Sequence, residues 1–307
     1  MTHYLVTGAS GLLGLNLALH LSGKHQVTGV IHKDELKDVP FEVIVTDLSK
    51  PGECEWVLNT TMPEVIIHCA AMAIVDECEV DPQRAMRVNA DVPGELAGFA
   101  QQAGIKFVHI STDAVFDGAK GNYSEMDQPN PLSTYARTKL AGEVAVMAHN
   151  PEALVARVNF YGWSLRGQRS LAEFFFNNLS AGQPVNGFKD VRFSPLFVMD
   201  LIETLLKMVE KDLTGLYHTV SCETISKYDF GVAIAKEFGF DPALVKPVSV
   251  NEGGLKAARS PNLNLNTGKL AQALGHPLPG IQQGLKRFHR QHDENYSQKL
   301  REFLKEQ

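Results

Sequence analysis

Tyr135 and Lys139 stand four positions apart in the stretch TYARTKLAGE, residues 134–143. On a helix, positions i and i+4 share a face, and the stretch is rich in good helix formers. A lysine ammonium beside a phenol favours the phenolate and lowers its pKa. That suits a tyrosine that exchanges a proton with a carbonyl oxygen while hydride moves between a substrate and a nicotinamide. None of the other six tyrosines has a lysine at this spacing. The pair gains weight from its surroundings: FVHISTDAVFDG, upstream, ends an apolar strand with two hydroxyls, Ser111 and Thr112, followed by Asp113. Ligands of open α/β sheets sit outside the carboxyl ends of the strands, so these hydroxyls are expected to point toward a bound cofactor.

A second constellation opens the chain. VTGASGLLGLNLALHL places Gly8, Gly11 and Gly14 between a strand and a helix. Glycine permits the tight turn and lets backbone approach a pyrophosphate, and the new helix offers free N–H groups and its positive dipole end. An ordinary glycine turn would need none of this, but the position after the first strand favours a dinucleotide. Ser10, Leu12 and Leu13 complete the expected phosphate loop. At the end of the second strand, GVIHKDE carries His32 and Lys33 where an NAD site would carry an acid. A cation there suits a 2′-phosphate, so NADP(H) is favoured over NAD(H); otherwise Lys33 is a solvated loop residue and Asp34 does the reading. Asp47, followed by Leu48, ends the third strand, where its carboxylate can accept the adenine amino group or cap the next helix.

The elements needed to hold these residues are legible. YLVTGA, QVTGVI, EVIVTD, EVIIHCA, KFVHIST and ALVARV read as strands, nearly continuous in aliphatic residues, as expected for strands covered on both faces. Helices are expected over 12–23, 52–62, 82–103 and 134–149. The alternation predicts an α/β fold, a Rossmann-type doubly wound parallel sheet. Beyond residue 160 the rhythm changes to a helix ending near Gly182, a helix in FVMDLIETLLKMVEK, the strand GLYHTV, a helix over 226–239, an irregular segment 245–266 and a charged, solvated helix over 281–306. The expected division is a dinucleotide-binding core over 1–160, to which segments such as 190–220 return, and a smaller substrate-binding lobe over 161–307.

The pieces VTGASGLLG, MPEVIIHCAA, RVNAD, HISTDAVFDG, YARTKLAGE, FSPLFVMDL and GLYHTVSCETISKYDF resemble, in order, the extended short-chain dehydrogenase/reductases, and among them the dTDP-4-dehydrorhamnose reductases. The resemblance implies that Thr112 polarises a substrate carbonyl, Tyr135 is the general acid and Lys139 holds the nicotinamide ribose. It also implies that Ala70, Ala71 and Met72 lie along the cofactor and that Asn89 lies near the active site. His68, inside IIHCAA, reads as a core histidine. Two departures fall where the sugar nucleotide would bind. RVNFYGW has Phe160 where these reductases usually carry Trp, and Arg259-Ser260-Pro261-Asn262 has Ser for the usual Pro. Arg259 remains suited to fork onto a diphosphate.

Three functional readings follow. The first is an NADP-dependent oxidoreductase acting on the 4-keto group of a nucleotide-linked 6-deoxysugar, with Asp113, Phe160 and Arg259 joining Thr112 at the substrate. The second is an epimerase or dehydratase of nucleotide sugars with tightly held NAD. The third is a non-catalytic regulatory subunit of the methionine adenosyltransferase type. A formal charge of −6 over 307 residues gives no electrostatic reason for a nucleic-acid or anionic-membrane partner. No apolar run is long enough to span a bilayer. The four cysteines lack metal or redox spacing and no ligand cluster suggests a metal, which favours a cytoplasmic protein with reduced thiols. A homodimer is compatible with this reading.

Overall fold

The structure is a computed structural model that describes residues 1–33, 36–252 and 260–304. Six strands come from the first half: β1 (His3–Thr7), β2 (Gln26–Ile31), β3 (Glu42–Val45), β4 (Val65–His68), β5 (Lys106–Thr112) and β6 (Leu154–Val158). With Gly215–Thr219 they form one seven-stranded parallel sheet, ordered β3-β2-β1-β4-β5-β6-(215–219). The chain runs outward from β1 to β3, then returns to β4 on the other side of β1. That reversal opens the crevice at the carboxyl edge in which such sheets bind ligands.

Side-chain alternation divides the core between the two faces. Leu5, Ile66, Phe107 and Val155 pack with α2 (Glu53–Thr61), α5 (Val92–Ala103) and α6 (Thr134–His149) through Val57, Leu96, Ala100 and Val146. Tyr4, Val6, Ile67, Val108 and Ala156 pack on the opposite face with α1 (Leu12–Ser22) and the helix Val198–Glu210. Three small strand clusters complete the later half. Phe160–Tyr161 pairs with Leu196–Phe197, Arg192–Phe193 with Ile225–Ser226 and Asn262–Leu263, and Val185–Phe188 with Val245–Val248.

Three expectations need correction. The single helix over 82–103 is a composite that follows an unforeseen helix, α3 (Val75–Val80). It consists of α4 (Pro82–Met86), a π-helical turn Arg87–Asp91 and α5. Pro93 has no N–H to donate to the Asn89 carbonyl. That carbonyl lies instead against α6, where a Cβ on Gly142 would sit 2.2 Å from it. The terminal stretch is two helices, Ile281–Asp293 and Tyr296–Glu302, broken at Asn295 with φ 59°. Nor is it merely solvated. Leu285, Phe288 and Leu300 are fully buried, and Trp163 Nε1 donates to the Phe288 carbonyl at 3.1 Å. Its apolar residues are sparse but fall on one face, so charge content concealed the burial. Part of the irregular segment 245–266 is strand, at Val245–Val248 and Asn262–Leu263.

Candidate active site

The glycine turn is set by contact rather than by flexibility. Gly8 has φ +67°, and a Cβ there would stand 2.8 Å from the Ala70 backbone. The Gly11 amide donates to the Gly8 carbonyl at 2.8 Å. A Cβ on Gly14 would lie 2.2 Å from the same carbonyl oxygen. Only hydrogen fits, so α1 starts directly beneath the turn, and no side chain caps its first amides. Those donors face a cleft of about 800 Å³. Its floor is the turn itself, with Gly8, Ser10, Gly11, Leu12, Leu13 and Gly14 all in the wall. His32 and Lys33 enter from β2, Asp47 and Leu48 from beyond β3, Ala70, Ala71 and Met72 from beyond β4, and Phe160 from beyond β6. A bare N-terminal helix turn at the bottom of a long cleft suits a dinucleotide diphosphate.

At one end, His32 Nε2 lies 3.5 Å from Asp47 Oδ2. Asp47 Oδ1 accepts from the Ser49 amide at 3.0 Å and from the Ser49 hydroxyl. Burial pushes the Asp47 carboxyl up, but the Ser49 hydrogen bonds, His32 and Lys50 outweigh it and hold the group below the usual carboxylate range. Asp47 does not cap the next helix, because α2 is preceded by Gly52.

The chemistry-bearing residues gather where β5 meets α6. Ser133 caps α6, accepting from the Ala136 amide at 3.2 Å. Glu79, on α3, accepts from the Thr134 amide at 2.7 Å and its hydroxyl at 2.6 Å. These bonds fix the helix start and set the half-buried Tyr135 phenol close to Thr112. Burial raises the phenol to about 12, and Thr112 only partly opposes it.

Lys139 departs from expectation. It is buried, and its Nζ donates to the Ile110 carbonyl at 2.7 Å, with His109 Nε2 at 3.4 Å. Burial lowers it to about 8 against the opposing pull of Glu143 and Cys69. A buried ammonium takes the nearest acceptor, here a strand carbonyl, so in this arrangement the lysine does not lower the tyrosine's pKa.

Three more expected contacts are redirected. Ser111 does not face a cofactor, because its hydroxyl donates to Glu143, which also takes a two-point bond from buried Arg157 at 2.9 and 2.7 Å. Asn89 is fully buried and lies outside the cleft wall. Its Oδ1 accepts from the Met72 amide at 2.9 Å, while its Nδ2 donates to the Met72 carbonyl and to Thr138 Oγ1. It shapes the Ala70–Met72 segment from behind. Asp113 is buried, with Oδ1 accepting from Thr112 and Oδ2 from Asn159 Nδ2 at 2.7 Å. Burial raises its carboxyl to about 6. It therefore braces the Thr112 hydroxyl, and both of its oxygens are engaged. Arg259 lies outside the described residues.

His68 is a core residue. Its Nδ1 meets Thr7 Oγ1 at 2.8 Å, its ring stacks on His109, and burial lowers it to about 3. The cleft also includes Ser49, Glu77, Arg84, Gln168 and Arg169, none anticipated. Helix α3, which supplies Glu77, had only the acid-rich VDECEV as a signal, and Arg169 had none beyond a position ahead of SLAE. No helix among the described residues is long and apolar enough to cross a membrane.

Relatives share nearly the whole chain. It is 34% identical over 288 residues to a probable low-salt glycan biosynthesis reductase of Haloferax volcanii, covering 91% of this chain and 95% of that protein. It is 34% identical over 281 residues to the dTDP-4-dehydrorhamnose reductase of Mycobacterium tuberculosis, covering 89% and 88%. It is 31% identical over 275 residues to methionine adenosyltransferase 2 subunit beta of Pongo abelii, covering 87% and 80%. Among solved structures, the dTDP-4-dehydrorhamnose reductase of Bacillus anthracis in complex with NADP superposes with a TM-score of 0.81 at 26% identity, covering 94% and 99%. With a match from residue 2 to residue 293, this chain belongs to the family described as the RmlD substrate binding domain.

Proposed function

We propose that this protein is an NADPH-dependent oxidoreductase that reduces the 4-keto group of a nucleotide-linked 6-deoxyhexose. The observation that carries the reading is the Thr112–Tyr135 pair at the carboxyl end of β5, the strand whose Ile110 lines the dinucleotide-sized cleft. A phenol raised to about 12 stays protonated at neutral pH. It can therefore donate to a carbonyl oxygen as that oxygen gains charge, the direction a reductase requires. Bound NADPH supplies the hydride. Thr112, braced by Asp113, orients the same oxygen, and the family resemblance assigns Lys139, one helical turn beyond Tyr135, to the nicotinamide ribose. His32 and Lys33 supply positive character for the 2′-phosphate, and Phe160 offers an apolar surface to a 6-methyl group. The dTDP-4-dehydrorhamnose reductases among the relatives support this substrate class.

The test is purified protein with NADPH and a panel of dTDP- and UDP-linked 4-keto-6-deoxyhexoses. Stoichiometric loss of NADPH absorbance with one of them is expected. Net consumption also excludes an epimerase or dehydratase that regenerates its cofactor. The similarity to methionine adenosyltransferase 2 subunit beta favours a second reading, a partner-binding subunit. NADPH binding without oxidation on any panel member, together with co-purification of another enzyme, would replace the first reading with the second.

A further inference from the structure

Arg169 sits near the end of a loop, Ser164–Ser170, that is far more tightly built than its exposure suggests. The loop leaves the buried Trp163, whose carbonyl accepts from Asn16 Nδ2 on α1 at 3.0 Å. Glu173, fully buried on the following helix Leu171–Ser180, gathers the loop onto one carboxylate. It accepts from the Ser164 amide at 2.6 Å, the Arg169 amide at 2.9 Å and the Ser170 amide at 3.1 Å, and from the Ser164 hydroxyl. Asn177 Nδ2 donates to the Gly167 carbonyl at 2.8 Å. Gly167 has φ +69°, and a Cβ there would meet the Arg301 guanidinium at 2.6 Å. Both ends and the middle of the loop are thus fixed.

The result is an arginine whose backbone is immobilised and whose side chain is left over. Gln168 and Arg169 line the same cleft as Gly11, Leu12 and Phe160. The Arg169 side chain is exposed and makes no hydrogen bond or ion pair among the described residues. Glu173 does not require it as a counter-ion, since four donors already satisfy that carboxylate. A diphosphate on the glycine turn takes N–H donors from α1 on one side only. A guanidinium entering from another wall supplies the planar, forked donors that phosphate oxygens accept best.

We propose that Arg169 is a diphosphate ligand that closes over the cofactor's diphosphate from the Gln168–Arg169 part of the cleft lining. This rests on the dinucleotide reading of the cleft. The substrate class carries the same chemical group, so the experiment separates the two sources. Arg169→Ala and Arg169→Lys are titrated with NADPH, with NADH and, at saturating NADPH, with dTDP. Expected for Arg169→Ala is a roughly tenfold or greater rise in Kd for NADPH and by the same factor for NADH. Unchanged dTDP affinity and unchanged melting temperature are expected beside it. Arg169→Lys should recover part of the loss, because a point charge replaces a fork.

NADPH and NADH constants within twofold of wild type would overturn the proposal. A loss confined to NADPH would also overturn it, placing the contact on the 2′-phosphate. A loss confined to dTDP would overturn the cofactor assignment and put Arg169 on the substrate's diphosphate. Wild-type protein that binds neither dinucleotide would sink the cleft reading itself, and the proposal with it, before any variant is compared.

Discussion

Glu143→Gln is expected to destabilise the protein severely and to alter its pH profile at the same time. Glu143 lies one helical turn beyond Lys139 and is buried with Arg157, the two side chains retaining 7% and 3% of their exposure. Its oxygens accept from Arg157 Nε, from Arg157 Nη2 and from Ser111. Arg157 also stacks over Phe116 at 5.0 Å and approaches His218 Nε2 at 3.5 Å, neither of which can neutralise it. The glutamine is nearly isosteric, so the loss is one of charge and of one acceptor oxygen. Removing one partner of such a pair leaves an uncompensated buried charge, worth about 3–5 kcal/mol. At ~2.1 cal/mol/K per residue, 307 residues give an unfolding entropy of about 0.6 kcal/mol/K, so the melting temperature should fall by roughly 5–8 °C. The double variant Glu143→Leu/Arg157→Met removes both charges and should cost less than either of its own singles, Glu143→Leu or Arg157→Met. Chemical denaturation of wild type, these two singles and the double provides the cycle. A single-variant cost below about 1 kcal/mol, or a double variant worse than the sum of the singles, would refute the reasoning. The chemistry supplies a second readout. Glu143 raises the pKa of Lys139, so without it the lysine loses its proton at lower pH, and any activity limb set by Lys139 should move toward acid.

Gly14→Ala places a Cβ within 2.2 Å of the Gly8 carbonyl; dinucleotide binding should be lost in calorimetric titration. Tyr135→Phe should lower turnover by about two to four orders of magnitude with the NADPH Kd nearly unchanged, and wild-type turnover in this variant would remove Tyr135 as the acid. Lys33→Glu should raise the NADPH constant while leaving NADH nearly unaffected, and equal responses would place Lys33 away from the 2′-phosphate. Asp113 has a folded pKa raised to about 6, so its folded state binds extra protons between pH ~4 and ~6 and wild-type stability falls as pH rises through that window. Asp113→Asn should therefore gain about 1–2 kcal/mol at pH 7.5, a part of the ~3 kcal/mol that two pKa units represent, because Asn159 Nδ2 must then face an amide. The gain should vanish below pH 4, and a gain that persists there would refute a charge effect.

The sheet was legible because its strands are short and apolar on both faces. VIIH, FVHIST and LVARV carry no alternation that a helix could use, and the stretches between them have helical length. Helix limits were readable wherever capping chemistry marks them: Ser133 opens α6 at the expected residue. Where the breaks depend on tertiary fit, sequence gave little. The π turn at Arg87–Asp91 follows from Pro93 and from the room that Gly142 leaves on another helix, and the terminal helix breaks at an asparagine, a residue that also tolerates helix interiors.

The site divides along the same line. Residues that act through backbone shape announce themselves: at Gly8 and Gly14 no other residue fits the turn, and at Gly11 a Cβ would stand 3.1 Å from the Gly8 carbonyl. Residues that act through a side chain were recognisable by type but not by direction. Ser111, Asn89, Asp113 and Lys139 are all close to the expected place, yet each is drawn to a partner within the protein: Glu143, Met72, Asn159 and the Ile110 carbonyl. The reason is energetic. At the carboxyl edge of a doubly covered sheet, a polar side chain that points inward must be satisfied or cost about 1–3 kcal/mol, and its partner comes from an element distant in sequence. Glu143 and Arg157, 14 residues apart on a helix and a strand, are a pair only once the crossover is made. Lys139 shows what this does to chemistry. Spacing places it beside Tyr135, but burial lowers it to about 8 and its ammonium donates to the Ile110 carbonyl, a partner 29 residues away that no spacing rule contains.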